Sequence, residues 1–384
     1  MRIAVLLAVG LALMASVVHA QSDDDEDEMD YYPLVPTGNS LRFGLRYVGG
    51  PKVAFSNLGI VPVNNAIVDP TSLVGRTYND GYVSPPNSTR NDSNGRPPND
   101  GLTNVWQVNY ASQITAGGDV AEHLYSTNTT GAALNGKSMS AAGWELQAGR
   151  SLGKIARKID VSLVAGISFS SLNAKAGGTI PAQLVSLTDV FSLNGQTPPS
   201  TLPYTAPTGA TVNVVDVNGN TVYDANGNPL TANSATSLLL SQQPTRTTTL
   251  GTANVIGHWQ VKGAYYAFRL GPMFQIPLTE RLKISFGAGA ALAYVGADYV
   301  ASEEIDLDEV LSPVQTADLD HRNVVLPAFY ADLDAEYWLT ERTGFYLGGT
   351  FQKSKSFEQT AGGRTATIDM GTASGLTTGI TLRF

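Results

Sequence analysis

The sequence predicts an all-β fold: a transmembrane, antiparallel, up-and-down β-barrel of eight strands with long extracellular loops. Apolar and polar residues alternate along eight segments. Each segment reaches the length of about 9–11 residues that a tilted strand needs to cross a bilayer. Short connections alternate with long ones, as in barrels whose turns lie in the periplasm and whose loops lie outside. The chain also ends on an alternating strand with an aromatic C-terminus.

The C-terminal segment, residues 374–384 (SGLTTGITLRF), is the most informative strand. Its apolar side chains, together with Thr378, occupy every second position up to Phe384, and small or polar residues occupy the others. A strand with one apolar and one polar face is typical of a membrane barrel. The segment resembles the C-terminal signature of bacterial outer-membrane proteins, although Leu382 stands where many of them have tyrosine. The resemblance implies that the barrel assembly machinery recognises the chain through Phe384.

The first residues predict export. Residues 1–20 contain one cation, Arg2, then an apolar run, then small residues around Ala20. This is the pattern of a cleaved signal peptide. The alternative, a membrane anchor, needs about 20 apolar residues, and the run is shorter than that. The acidic stretch that follows predicts a solvated periplasmic tail over residues 21–39.

Composition excludes several classes of protein. The net charge is −9, which argues against nucleic acid as a partner. There is no cysteine, which rules out a lipoprotein anchor and a disulfide scaffold. The mean hydropathy is −0.04, so a membrane protein of this composition must alternate polar with apolar residues. No cofactor is predicted.

Eight segments carry the alternation, and their connections follow the short–long rhythm. The predicted strands are residues 40–48, 142–152, 158–170, 261–276, 281–294, 324–339, 343–354 and 374–384. The predicted barrel domain is residues 40–384, with external loops at 49–141, 171–260, 295–323 and 355–373. Residues 104–110, and residues 212–217 with 221–223, also alternate, so a barrel of ten strands is the alternative.

The charged residues share a face with glycine and serine, and the opposite face is nearly uncharged. A soluble barrel of the lipocalin type would invert these faces, and long polar loops at one end with Phe384 at the other favour the membrane barrel. The inward charges are mixed in sign, which predicts ion pairs in the lumen. Such pairs either fill the barrel or line a narrow polar path. The predicted lumen charges are Arg42, Arg46, Glu145, Asp160, Arg269, Arg281, Lys283, Asp332, Asp334, Glu336 and Arg383.

Outward aromatic residues cluster near the strand ends, as expected for interfacial girdles that anchor a barrel. The predicted girdle at the turn end is Phe274, Tyr337, Phe345 and Phe384, and toward the loop end Tyr47, Trp144, Phe169, Tyr294 and Phe351.

The second long loop repeats the pattern Asp-x-Asn-Gly-Asn. Oxygen ligands at alternate positions followed by glycine are a weak signal for calcium. Asn-Gly is also the preferred residue pair of a tight turn, and paired turns are the alternative interpretation. The calcium candidates are Asp216, Asn218, Asn220, Asp224 and Asn226.

The chain resembles the family of small eight-stranded bacterial outer-membrane proteins and surface antigens, within the porin-like superfamily. The resemblance covers the strands, turns and C-terminus, and implies a location in the outer membrane in contact with lipid and lipopolysaccharide. It implies a role in envelope structure or surface interaction, with an unidentified extracellular partner and no catalysis. A narrow channel for ions or small polar solutes is the alternative. A rim enzyme would need a histidine paired with a carboxylate or hydroxyl, and His321 beside Asp320 is the candidate in the third long loop.

Overall fold

The computed structural model describes residues 38–63, 69–85, 90, 99–155, 159–207, 211–233 and 238–384. The predicted signal peptide (1–20) and residues 21–37 of the predicted tail lie outside the described residues. Among the described residues, no helix is both long and apolar enough to span a bilayer.

Eight long strands form a closed ring. Each strand pairs antiparallel with the next along the chain, and the last pairs with the first. The predicted up-and-down barrel is therefore confirmed, and closure leaves no unpaired strand edge in lipid. The strands are β1 (Ser40–Val48), β2 (Ala141–Ile155), β3 (Ile159–Phe191), β4 (Thr245–Pro277), β5 (Leu282–Ile305), β6 (Val314–Trp338), β7 (Thr343–Ser354) and β8 (Ala373–Arg383).

Two short turns share the sequence Leu-Thr-Glu-Arg and the same local structure. In the β4–β5 turn, the Thr279 hydroxyl accepts from the backbone N–H of Leu282 at 3.0 Å. In the β6–β7 turn, the Thr340 hydroxyl accepts from the N–H of Thr343 at 3.0 Å. A threonine hydroxyl that bonds the backbone stabilises a turn. The β2–β3 turn, residues 156–158, lies outside the described residues.

Four strands are longer than predicted, and the predicted loops are correspondingly shorter. Strand β3 was expected to end at residue 170, and β4 to begin at 261, but they extend to Phe191 and from Thr245. Likewise β5 continues to Ile305 and β6 begins at Val314. Beyond the membrane, water replaces lipid outside the barrel, so the two faces of each strand exchange polarity.

Strand β3 illustrates this exchange. Phe169 faces outward on the membrane segment, whereas Lys175, on the same outer face, is charged and exposed. Inward, Ser168 and Ser170 are followed by the buried Leu172 and Ala174. The alternation thus continues with inverted polarity, which a rule that places apolar residues outside does not detect.

Shorter elements build an extracellular body on the long strands. Segments 106–108 and 211–213, considered for a ten-stranded barrel, belong to small separate sheets in this body. Its elements are Lys52–Ser56, Arg76–Thr77, Gly81–Val83, Leu102–Thr103, Trp106–Val108, the 3-10 helix Ala111–Gln113, Val120–Asn128, Ala133–Ser138, Tyr204–Thr205, Thr211–Asn213, Thr231–Asn233, Leu240–Ser241, Ser356–Ala361 and Arg364–Asp369.

The main apolar core lies inside the outer half of the barrel. Strand Lys52–Ser56 and the hairpin of Ser356–Ala361 with Arg364–Asp369 pair into one sheet. Phe55 from this sheet stacks on Tyr299 of β5, with ring centroids 5.7 Å apart. Trp259 and Tyr265 of β4 belong to the same core. We call this sheet the cap, because its buried side chains fill the outer half of the barrel.

Candidate functional site: the barrel interior and its cap

Ten of the eleven predicted lumen charges are buried inside the membrane segment, with at most 8% of any residue exposed. Arg281 is the exception and corrects the prediction: it lies exposed in the β4–β5 turn, because β5 begins only at Leu282. Five cations and five carboxylates remain, so their charges balance. This lumen network consists of Arg42, Arg46, Glu145, Asp160, Arg269, Lys283, Asp332, Asp334, Glu336 and Arg383.

Arg269 of β4 lies at the centre of the lumen network. Its guanidinium donates to Glu145 Oε2 and to Asp332 Oδ2, both at 2.8 Å. The Tyr346 hydroxyl donates to Glu145 Oε1 at 2.9 Å. The guanidinium also lies 5.1 Å from the centre of the Tyr330 ring. A charge-assisted fork of this kind fixes the geometry of both carboxylates.

A second group of pairs lies nearer the periplasmic turns. Arg42 donates to Asp334 Oδ2 at 3.0 Å and forms an ion pair with Glu336. Gln275 donates to Glu336 Oε1 at 3.0 Å and accepts from Arg383 at 2.9 Å. These side chains come from four different strands, so the bonds link opposite walls of the barrel.

The periplasmic end of the lumen is also filled by contacts. Lys283 Nζ lies 3.1 Å from Asp160 Oδ2. The Arg383 guanidinium stacks over the Trp338 ring, 4.3 Å from its centre. Trp338 is 3% exposed, so an indole and a guanidinium occupy the end of the barrel where the chain terminates.

An apolar layer separates the lumen network from the extracellular side. Tyr265, Ala293 and Val295 are at most 2% exposed and belong to the core beneath the cap. Leu172 and Leu326 contribute from β3 and β6. An ion that passed from the network to the outside would have to cross these buried and mostly apolar side chains, which offer few groups to replace its hydration shell.

One buried arginine fastens the cap to the barrel. Arg364 donates to Glu303 Oε2 from Nη2 at 3.0 Å and from Nε at 3.1 Å. Its Nη1 donates to Asp318 Oδ2 at 2.8 Å. The other Glu303 oxygen accepts from Trp259 Nε1 at 3.0 Å and from the N–H of Gly59 at 2.9 Å. Sequence patterns gave no signal for this clamp, because its members are far apart in the chain.

The outward aromatic residues lie at two levels of the barrel wall. At the outer level, Trp144, Phe169, Tyr266 and Tyr294 are direct neighbours across four strands. The ring centroids of Trp144 and Phe169 are 6.2 Å apart, and those of Phe169 and Tyr266 5.3 Å. Tyr266 was missing from the predicted girdle, and strand register supplies it. The other predicted girdle residues lie on the outer face, at least partly exposed: Tyr47, Phe274, Tyr337, Phe345, Phe351 and Phe384.

Three exposed lysines lie just outside this aromatic level. Lys175 of β3 pairs in register with Lys137. Lys262 lies on β4, four residues before Tyr266 in the sequence and on the same outer face. The salt bridges among the described residues involve none of these three lysines. Sequence analysis did not select them, because only the strand register brings them to one side of the barrel.

The repeated Asp-x-Asn-Gly-Asn motif forms two tight turns. Asp216 Oδ1 accepts from the N–H groups of Asn218 and Asn220 at 2.8 and 2.9 Å. Asp224 does the same with Asn226 and Asn228. These backbone bonds lower the pKa of both aspartates. Because the carboxylates already serve the turns, the geometry favours the turn interpretation over calcium.

Two histidine–carboxylate pairs lie in the extracellular region. His321 pairs with Asp298 at 2.5 Å, and not with Asp320 as the sequence suggested. His123 pairs with Asp80 at 2.6 Å. The other recorded contact of the His321 ring is with Asn323 Nδ2 at 3.1 Å. Among the described residues, neither imidazole hydrogen-bonds a serine, threonine or tyrosine hydroxyl.

Asp80 also belongs to a buried acidic pair in the outermost part of the body. Glu122 has no exposed surface and accepts from Gln113 Nε2 at 3.0 Å. Burial first, and then the charge of Asp80, raise the pKa of Glu122 well above its ordinary value. The folded protein therefore keeps a proton on Glu122 at a pH where the unfolded chain has lost it.

This proton makes the outer body less stable as the pH rises. An unfolded glutamate ionises near pH 4.3, so the loss of stability begins there and continues up to the raised pKa of the folded state. Hydrogen exchange along Val120–Asn128 should therefore accelerate above about pH 4 more than the chemical rate alone requires. Glu122→Gln should remove this extra acceleration. Glu341→Gln, at an exposed position in the distant β6–β7 turn, is the control, and equal pH dependence in all three proteins would contradict the expectation.

No protein-family model matches the chain, and no curated protein matches it significantly. Solved structures give distant similarities. The outer-membrane protease OmpT of Escherichia coli is 8% identical with a TM-score of 0.29, covering 91% of this chain and 97% of that one. Ail of Yersinia pestis, solved with the heparin analogue sucrose octasulfate, is 5% identical with a TM-score of 0.21, covering 90% and 99%. Similarities this low assign no activity.

Proposed function

We propose that this protein is an integral outer-membrane barrel with a closed bore, which acts in envelope structure or surface interaction through its extracellular body and without catalysis. The main support is the balanced lumen network beneath an apolar layer. Each charge of the network forms an ion pair with an opposite charge or lies beside one. Tyr265 and Val295 lie between the network and the outside. A channel instead needs a continuous polar path.

The outer wall of the barrel supports the proposed membrane location. The aromatic level of Trp144, Phe169 and Tyr266 fits the headgroup boundary. Lys137, Lys175 and Lys262 lie just beyond it and would contact the phosphates of lipopolysaccharide. At the other end, Phe384 is 63% exposed and available to the assembly machinery.

The closed bore predicts that the refolded protein is electrically silent in a planar bilayer. A matched variant in which a short glycine–serine linker replaces residues 356–369 loses Phe357 and Ile368 from the outer core but keeps the lumen network and the Arg383–Trp338 stack, so it should be silent as well. Heat-modifiable migration in gels would verify that both proteins are folded barrels.

Steady conductance of the unmodified protein would overturn the proposal. If an Asp332→Ala, Asp334→Ala variant then changed the current or the ion selectivity, the inner carboxylates would belong to the path. The narrow-channel alternative would then replace the closed barrel.

A further inference from the structure

The outer part of β4 has a free edge. Strand β5 ends at Ile305, which pairs with Val255. Residues 245–254 of β4 therefore continue beyond β5, paired on one side with β3. Among the described residues, no strand pairs with their other side. An unpaired edge offers a row of N–H and C=O groups to another chain.

The last bond between β4 and the chain beyond β5 shows which residues face this edge. The N–H of Asp306 donates to the carbonyl oxygen of Asn254 at 2.9 Å. Backbone groups point to alternate sides along a strand, so Thr252, Leu250 and Thr248 also direct their N–H and C=O toward the edge. The intervening residues direct theirs toward β3.

The free edge lacks the features that usually protect one. Residues 247–252 are all exposed, on both faces of the strand, and contain no charged residue and no proline. Natural edge strands are commonly protected by lysine, proline, a bulge or a covering segment. Threonine also has a high β propensity.

The opposite edge of the same sheet is covered. Strand Val120–Asn128 pairs with β3 on one side. On its other side, the N–H of Thr127 donates to the Val61 carbonyl at 2.9 Å, and the Tyr125 N–H donates to Asn79 Oδ1 at 2.7 Å. The fold thus covers one edge of this sheet and leaves the other open.

We propose that the free edge, residues 247–252, binds an extended segment of another protein, which adds to the sheet as a further strand. Main-chain hydrogen bonds would supply most of the affinity, as in other cases of strand addition. Because the edge carries no charge, the segment it fits is neutral and rich in β-branched residues. The inference rests on the proposed function only in placing this edge outside the cell.

A second copy of this chain fits the edge less well. Isologous pairing of antiparallel edges needs a two-fold axis perpendicular to the strands. Two copies in one membrane share their orientation, and a two-fold axis along the membrane normal makes strands tilted by about 40° cross each other instead of running antiparallel.

The test uses the full-length refolded barrel in detergent and a defined probe. The probe is a blocked synthetic peptide of alternating threonine and valine, about as long as the edge. Hydrogen exchange would be measured at the amides of Thr248, Leu250 and Thr252. Without peptide these amides should exchange at least tenfold faster than those of Thr249 and Gly251, and the peptide should slow them.

Two variants at one position separate backbone from side-chain recognition. Leu250→Pro removes an edge-facing N–H and leaves the ladder with β3 intact, so it should abolish peptide binding. Leu250→Thr keeps the N–H and should bind like the parent. Heat-modifiable migration would verify that both variants are folded.

Three results would overturn the proposal. One is no protection of the edge amides at a peptide concentration of about 1 mM, near the limit of weak specific binding. Another is binding that survives Leu250→Pro. The third is protection without peptide that rises with protein concentration, which would assign the edge to a second copy. None depends on conductance, so failure of the closed-bore proposal would be recognised separately.

Discussion

Replacing Arg364 with methionine is expected to destabilise the cap by about 3–5 kcal/mol, the usual cost of removing one partner from a buried ion pair. Its side chain is 1% exposed and that of Glu303 is fully buried. The substitution leaves the Glu303 carboxylate without its cation and frees the Ile60 carbonyl, which Arg364 also bonds. Protease cleavage within residues 356–369 and hydrogen exchange there would report the opening.

Glu303, the carboxylate partner of Arg364, provides the control for this prediction. Glu303→Gln in the Arg364→Met background removes the unpaired charge, while its amide oxygen still accepts from Trp259. Part of the lost stability should therefore return. Exchange within the membrane segments of β1 and β8 should not change. If Arg364→Met left the cap as protected as in the parent, the clamp would have no energetic role.

Replacing Arg269 with methionine is expected to cost the barrel a similar amount, about 3–5 kcal/mol, because two buried carboxylates lose their shared cation at once. Glu145 is 1% exposed and Asp332 is 5% exposed. Urea unfolding of the refolded barrel, followed by gel migration and tryptophan fluorescence, would measure the loss.

A compensated variant tests whether charge is the cause. Asp332→Asn, added to Arg269→Met, leaves four buried cations and four buried carboxylates, with Glu145 still 3.9 Å from Arg46, and should restore much of the midpoint. Arg281→Met is the matched control, since this arginine is exposed in a turn and should change stability by less than about 0.5 kcal/mol. A double variant as unstable as the single one would point to lost packing against Tyr330 instead.

The strand number, the ring and the inward charges followed from period-two alternation, because alternation assigns every side chain to a face. It does not assign partners. Alternation selects Arg269 and Asp332 as inward, but their contact depends on the stagger of β4 against β6 around the barrel. The prediction that Arg281 faces the lumen was wrong for a local reason. The alternating pattern continues into the β4–β5 turn, where alternation no longer assigns a side chain to a face of the sheet.

The outer ends of the strands could not be predicted by placing apolar residues outside. Lys175 and Trp259 both break that rule, the first as an outward cation and the second as a buried aromatic residue. Both obey the opposite rule for a barrel in water. A rule that gives each face of a strand one polarity cannot detect that the surroundings change from lipid to water along the strand. The cap clamp of Arg364 and Glu303 joins residues 61 positions apart and has no local pattern at all.

Because β5 ends at Ile305, the free edge of β4 lies far from the aromatic level of the barrel wall. Leu250 lies sixteen residues beyond Tyr266 along β4, which is about 53 Å along the strand and about 40 Å along the membrane normal at a tilt near 40°. Lys262, only four residues beyond Tyr266, stays level with the lipid headgroups. In the proposed orientation the lysines would contact the sugars and phosphates of the protein's own membrane, whereas the free edge would stand clear of that membrane, within reach of a segment of another protein.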